Sequence, residues 1–233
     1  MARIRVRRPS GGSILVDDTY QNMVVRQRGS VHIPQYAFHE FEIPMGDMGF
    51  PVVATRCTSG LACVDGVSVT AQGTLKVRLV GDYANNGVDV DFFVFGDPQP
   101  TTDGTGHVIL RRASDGIVTF DSGRDYLRIL SHHEVPYGFT GMLQAPIDRS
   151  AGVVVLSPAR SDGYRYTPTS GNGGVLDQAW GVQSYQTVPG GIRVGETSWL
   201  DSFPWWGAWP GMPPEQGQVV GPSKIWIVDL SGY

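Results

Sequence analysis

Three neighbouring residues in this 233-residue sequence, His132-His133-Glu134, have side chains that often bind metal ions, and His107 is a fourth candidate ligand. Successive residues of a strand point to opposite faces, so adjacent histidines cannot easily bind one ion. We therefore predict no metal site here, and no residue pattern indicates another cofactor.

Catalytic motifs are also not indicated. The Gly-rich stretches Gly104-Thr105-Gly106 and Gly171-Asn172-Gly173-Gly174 do not continue into a phosphate-binding motif, and no Ser or Cys lies in a Gly-flanked nucleophile elbow. Asp17-Asp18 and Asp47 could be glycosidase carboxylates only at a suitable separation, which a sequence does not reveal. A glycan-cleaving enzyme is therefore the weakest alternative, and we predict that the protein is not an enzyme.

The strongest candidate for a binding surface is an aromatic segment near the C-terminus. It contains Trp199, Phe203, Trp205, Trp206 and Trp209, interrupted by Pro and Gly. Such a cluster closes the end of a core, contacts a neighbouring subunit or stacks on sugars. Large exposed aromatic patches are rare on free monomers. We therefore predict a surface that binds a partner protein, and the alternative is a carbohydrate-binding module that recognises a host glycan through the same tryptophans.

Phe92 and Phe93 are predicted to join this partner-binding set. They lie in a segment, residues 88–95, whose alternation of apolar and acidic residues passes into a continuous apolar run. A strand that begins at a rim and then enters a buried core, or a subunit contact, has this pattern.

The elements that must position these residues are predicted to be short strands. The 31 Gly and 16 Pro are spread along the chain, which disfavours long helices. Apolar runs with the period of a strand lie at residues 2–8, 13–16, 23–27, 52–56, 66–70, 74–80, 88–95, 107–112, 117–120, 126–130, 152–156, 163–166, 179–186 and 224–228. We therefore predict an all-β fold of antiparallel β-sandwich modules with long Gly/Pro/aromatic-rich loops at residues 157–174 and 198–222.

A near-repeat links two parts of the chain at a constant offset of 104 residues. The segment from Arg7 to Val25 aligns without a gap on the segment from Arg111 to Ile129. Each copy has the pattern of a three-stranded β-meander, in which Asp17 or Asp121 can accept a backbone N–H in the second turn. This organisation favours an N-terminal β module at residues 1–98 and a second at 99–233, with one continuous domain as the alternative.

Composition narrows the classes of partner. The net charge of −4 and the scarcity of basic clusters disfavour nucleic acid, and no apolar run reaches the length of a membrane span. Charged residues make up only 17% of the chain against roughly 25% in ordinary soluble domains, which suits a protein covered by neighbours. The N-terminus lacks the pattern of a signal peptide, so synthesis in the cytoplasm is expected, where Cys57 and Cys63 stay free thiols.

The second copy of the repeat also resembles a known family. The sequence from Gly106 to Ile129, which contains Ala113-Ser114-Asp115-Gly116 and Phe120-Asp121-Ser122, is similar to a hairpin motif of tailed-bacteriophage virion proteins. The segment from Gly12 to Asn22 resembles the opening of such proteins. His107-Val108 stands where those proteins typically have Gly-Leu.

The resemblance implies a structural role and no catalytic residues. It implies a minor tail or tail-tip protein, located in the virion tail after assembly in the host cytoplasm. The expected partners are other virion proteins and copies of the chain itself, and a host surface glycan is the further candidate.

Overall fold

A computed structural model of the protein describes residues 4–7, 13–16, 22–34, 38–82, 86–98, 106, 108–112, 114–145, 150–168, 173–206, 216–231 and 233. Over residues 4–7, 13–16, 164–168, 173–178, 199–206 and 216–218 the description covers the backbone.

All regular elements of the described part of the chain are β-strands, which confirms the all-β prediction. The strands are β1 (Ile4–Arg7), β2 (Ser13–Val16), β3 (Val24–Ile33), β4 (Phe38–Pro44), β5 (Val52–Arg56), β6 (Ala62–Val69), β7 (Thr74–Gly81), β8 (Val88–Gly96), β9 (Ile109–Arg111), β10 (Val118–Asp121), β11 (Ile129–Val135), β12 (Gly141–Gln144), β13 (Ala151–Ser157), β14 (Arg160–Pro168), β15 (Gly173–Val188), β16 (Gly191–Trp206), β17 (Gln216–Val220) and β18 (Ser223–Asp229).

Two large antiparallel sheets form a sandwich. One has the strand order β11-β18-β13-β5-β8-β3, and the other has the order β12-β16-β15-β6-β7-β4, with β14 and β17 added beside β15. Apolar side chains from both sheets form two adjoining buried clusters between them, one around Val77 and Val94 and one around Ile192 and Ile227. We call this sandwich the body.

The six-stranded sheet buries side chains on both of its faces. Along β8, Val90 and Val94 belong to the core between the sheets, whereas Phe93 and Phe95 belong to a third cluster that also contacts Tyr233. Because neighbouring residues of a strand point to opposite faces, a strand buried on both sides needs a continuous apolar run. The run at residues 92–95 therefore enters a buried core.

Both large sheets take strands from each side of residues 98 and 99. In the six-stranded sheet, β3, β5 and β8 precede this point, and β11, β13 and β18 follow it. The eight-stranded sheet is mixed in the same way. This is the arrangement expected of the one-domain alternative.

The two segments predicted to be long loops instead contain strands, so that part of the prediction is wrong. Residues 157–174 include β14, and residues 198–222 include β17 and the end of β16. Tyr, Trp, Phe and Thr favour strands, and they outweigh the Gly and Pro between them. The prediction also missed β4 and β12.

The internal repeat forms two hairpins of the same design. β1 pairs with β2, and β9 pairs with β10, each as a separate antiparallel pair. The third strand of each copy does not complete a meander, because β3 and β11 join opposite edges of the six-stranded sheet. The copies nevertheless meet, since Val24 bridges to Tyr126 and the Leu127 N–H donates to the Met23 carbonyl at 2.9 Å.

The turn after β10 is fixed by a buried carboxylate, as the sequence predicts. Asp121 Oδ1 accepts the Gly123 N–H at 2.9 Å and the Gly106 N–H at 2.6 Å. Asp17 lies outside the described residues. Cys57 and Cys63 are free and buried, and burial raises the pKa of both thiols.

Candidate functional site

The longest strands of the protein are β15 and β16, which form one hairpin. They pair without interruption from Val188 opposite Gly191 to Gly173 opposite Trp206. Val182 and Tyr185 of β15 and Ile192 and Val194 of β16 pack in the core of the body. The opposing strands β11, β13 and β18 have seven residues each, so the hairpin extends well past them.

The far part of this hairpin belongs to a smaller sheet, which we call the arm. It consists of residues 160–168, 173–181, 196–206 and 216–220, with β14 pairing with both β15 and β17. On the side of β15 that faces β6, a ladder contact occurs at Tyr185 opposite Ala62, and β14 takes the place of β6 from Val182 onward.

One side of β16 has no strand partner in the described part of the chain. β12 covers β16 from Gly191 to Val194, and no described strand continues it over residues 196–206. At roughly 3.3 Å per residue, this open edge is about 36 Å long. Its backbone N–H and C=O groups on that side are those that a further strand would bind.

The aromatic residues predicted to bind a partner are in the arm. Trp199 lies directly opposite Trp180 in the β15–β16 ladder, and Phe203 lies opposite Leu176. Trp205 and Trp206 are the last residues of β16 before residues 207–215, and Trp209 lies outside the described residues. The alternation of a strand gives positions 199, 203 and 205 one face of the sheet.

Phe92 and Phe93 occupy the body instead. Their side chains are 7% and 3% exposed, and Phe92 packs on Phe41 with ring centroids 4.5 Å apart. Burial within the chain accounts for their apolar character. That they contact a partner stays a prediction, and no proposal below uses them.

A pocket of about 320 Å³ lies where β6 diverges from β15 and β14 begins, and we call it the fork. Its chemistry comes from four charged residues and two aromatic ones on five different strands. The fork is lined by Phe38, Asp65, Arg78, Arg160, Asp162 and Trp180.

A buried carboxylate forms the floor of the fork. Asp65 is 2% exposed and occupies a β-bulge, because the β6–β7 register shifts between Val64 and Gly66. Arg160 Nε lies 2.9 Å from Asp65 Oδ1, and Arg78 forms an ion pair with Oδ2. Arg160 Nη2 also donates to the Asp65 carbonyl, which ties β14 to β6. A β-bulge redirects a side chain, and here it places the carboxylate between two guanidinium groups.

The walls of the fork combine aromatic and polar groups. Phe38 is 55% exposed, and the Arg78 guanidinium carbon lies 5.9 Å from the centre of its ring. Trp180 and Asp162 are half-buried on the arm side. Among the described residues, no ion pair involves Asp162. The fork therefore offers an aromatic surface, spare guanidinium donors and a carboxylate acceptor within one small space.

A second polar cluster joins the arm to the body on the other face of the sheet. The Tyr137 hydroxyl donates to Glu196 Oε1 and lies 2.6 Å from Ser161 Oγ. Burial, together with Glu196, raises the pKa of Tyr137 to about 12. A side chain at Gly181 would overlap these groups, since its Cβ would lie 2.3 Å from the Tyr137 oxygen. This cluster holds the base of the arm in place.

Sequence reasoning missed the residues of the fork. Arg160 and Asp65 are separated by 95 positions, so nothing local brings them together. One signal was present, because Asp65-Gly66 interrupts an otherwise apolar strand and this is typical of a β-bulge.

The other sequence candidates do not assemble into a site among the described residues. His132 and His133 lie next to each other on β11, opposite Trp226 and Ile225. The described part of the chain contains no group of three or more His, Cys, Asp or Glu that could hold a metal ion. Within the same residues, no helix has the length and hydropathy required to cross a membrane.

Comparison with known proteins adds no assignment to this geometry. No family model matches the chain, and neither a curated protein nor a solved structure matches it.

Proposed function

We propose that this protein is a structural component of a bacteriophage virion, a minor tail or tail-tip protein, and that it assembles through its arm. The observation that carries the proposal is the open edge of β16. Assembly would occur in the host cytoplasm, and the partners would be other virion proteins and further copies of the chain.

The open edge lacks the features that protect edge strands from other chains. Residues 196–206 contain two acidic residues, Glu196 and Asp201, and no Lys or Arg. β4, at the opposite edge of the same sheet, carries His39, Glu40 and Glu42, and Glu40 pairs with Lys76 at 2.7 Å. An unprotected edge is a template for strand addition. A partner that adds a strand along β16 would cover it.

The composition of the arm fits the same role. Trp and Tyr are enriched in protein interfaces, and charged residues are depleted at interface centres. Pro204 in β16 is compatible with the open edge, because proline in a sheet is confined to edge strands and bulges. The virion part of the proposal is supported by the resemblance of residues 106–129 to phage proteins.

The first experiment changes the aromatic part of the arm. We expect the double variant Trp205→Ala/Trp206→Ala to lose self-association in sedimentation velocity, or incorporation into purified particles, while its unfolding midpoint stays close to that of the parent chain. Phe50→Ala is the matched control, because Phe50 is 89% exposed and lies outside the arm. A double variant that still assembles like the parent would count against the proposal.

The second experiment changes the open edge itself. Ser198 is exposed and has no strand partner on that side, so Ser198→Lys places a charge where a partner strand would add. We expect this variant to lower the association constant at least about tenfold, as a cost of roughly 1.4 kcal/mol would. Gln72→Lys adds the same charge in the exposed turn between β6 and β7 and should have no effect. A parent chain that is monomeric at high concentration and absent from particles would overturn the proposal.

A further inference from the structure

We propose that the fork is a binding site for one neutral sugar residue of a glycan, held between Phe38 and Trp180 and hydrogen-bonded by Arg78, Arg160 and Asp162. This inference goes beyond the role in assembly and uses a different part of the molecule.

The polar groups of the fork are fixed before any ligand arrives. Arg78 and Arg160 are both anchored on the buried Asp65 carboxylate, and Arg160 has a second anchor on the Asp65 carbonyl. A guanidinium has five N–H donors, so each arginine keeps donors that these contacts do not use. Preorganised groups of this kind bind with a smaller loss of side-chain entropy.

The donors and acceptors match the hydroxyl groups of a sugar. A hydroxyl both donates and accepts, so neighbouring hydroxyls can accept from an arginine and donate to a carboxylate. Arg78 and Arg160 supply the donors, and Asp162 supplies an acceptor that has no ion-pair partner among the described residues. A ligand with acceptors alone, such as phosphate, would leave Asp162 unmatched.

The aromatic groups match the apolar face of a sugar ring. The face of an aromatic ring carries partial negative charge, which attracts the C–H groups of a pyranose. Phe38 is more than half exposed although it is a large apolar side chain, and Arg78 packs near it. Trp180 lies on the opposite wall.

Charge and size narrow the ligand further. The two arginines and the two aspartates of the fork cancel in formal charge, so no net field favours an anion. The volume of about 320 Å³ is at the lower end of the range for small-molecule sites, which suits one or two sugar rings.

The test is a titration of the full-length protein with a panel of neutral sugars, namely glucose, galactose, mannose and N-acetylglucosamine. We expect saturable quenching of tryptophan fluorescence by at least one sugar, with Kd on the order of 1 mM. Phe38→Ala and Asp162→Asn should each weaken that binding about tenfold or more, and thermal unfolding monitored by circular dichroism should confirm that both variants fold. Phe50→Ala removes an equally exposed phenylalanine outside the fork and should bind like the parent.

Three outcomes would overturn the inference. The first is that no sugar of the panel saturates the signal. The second is that the sugar binds Phe38→Ala and Asp162→Asn as it binds the parent but fails to bind Trp205→Ala/Trp206→Ala, which would place the site in the aromatic part of the arm. The third is that inorganic phosphate binds the fork and the sugars do not. Retained sugar binding by Ser198→Lys would separate this site from assembly through the open edge.

Discussion

The body and the arm share strands but use them differently. In the body, β15 is covered by the opposing sheet, and Val182 and Tyr185 are buried. In the arm, the same strand pairs with β14 and β16, while the far side of β16 has no strand partner among the described residues. The comparison shows that a hairpin longer than the sheet it packs on creates a stable base and an unpaired edge together.

A core substitution in the body gives the sharpest contrast with the arm. Phe95 is fully buried and contacts the ring of Tyr233 edge to face. We expect Phe95→Ala to lower the free energy of unfolding by about 3–5 kcal/mol, because it removes apolar contacts and leaves a cavity. Denaturant unfolding measures this directly. If Trp205→Ala/Trp206→Ala cost as much, the arm would be part of the folding core and the distinction would fail.

The turn that joins β15 to β16 should be less sensitive. Gly190 has φ of 82°, in the left-handed region, and follows Pro189, as in a type II turn. Gly190→Ala should cost about 1–2 kcal/mol, because a Cβ is disfavoured there. Gly66→Ala is the control, since Gly66 has open space for a Cβ and its φ lies outside that region. Equal unfolding midpoints for the two variants would show that this turn does not restrain the hairpin.

The smallest effect concerns two tyrosines, one in the body and one at the base of the arm. Burial raises the pKa of both Tyr233 and Tyr137 to about 12, from about 10 in an unfolded chain. A raised pKa means that the stabilisation is complete below pH 10 and is lost as the pH rises toward 12.

Absorbance at 295 nm, followed against pH, should show late-titrating tyrosines that Tyr137→Phe and Tyr233→Phe each reduce by one. Titration of every tyrosine near pH 10 in a protein still folded by circular dichroism would contradict this expectation. A late phase that only Tyr233→Phe reduces would restrict the packed environment to the body.

Local patterns predicted most of the body. β2 and β5 have the bounds that alternation predicted, and the apolar run of β8 was recognised to within one residue. These segments are extended by their own composition, and burial on one or both faces explains their patterns. The start of β11 was predicted three residues too early, because Tyr126 belongs to the bridge with Val24.

The arm and the fork were less predictable for a physical reason. Gly, Pro and Trp in residues 198–206 indicated a loop, but the long pairing with β15 determines the conformation of that segment. The fork depends on contacts between distant strands, since Asp65 acquires its partners from β7 and β14. Such a juxtaposition exists only once the sheet register is set.

The bridge between the two repeat copies has a further implication for how such a chain is built. Met23 and Leu127 are equivalent positions under the 104-residue offset, and they hydrogen-bond to each other. A contact between a residue and its own counterpart is the signature of a local dyad, which is how identical subunits meet in a symmetric pair. One half of the sequence thus contains a self-complementary element, and fusing two such halves turns a contact between molecules into one within a molecule.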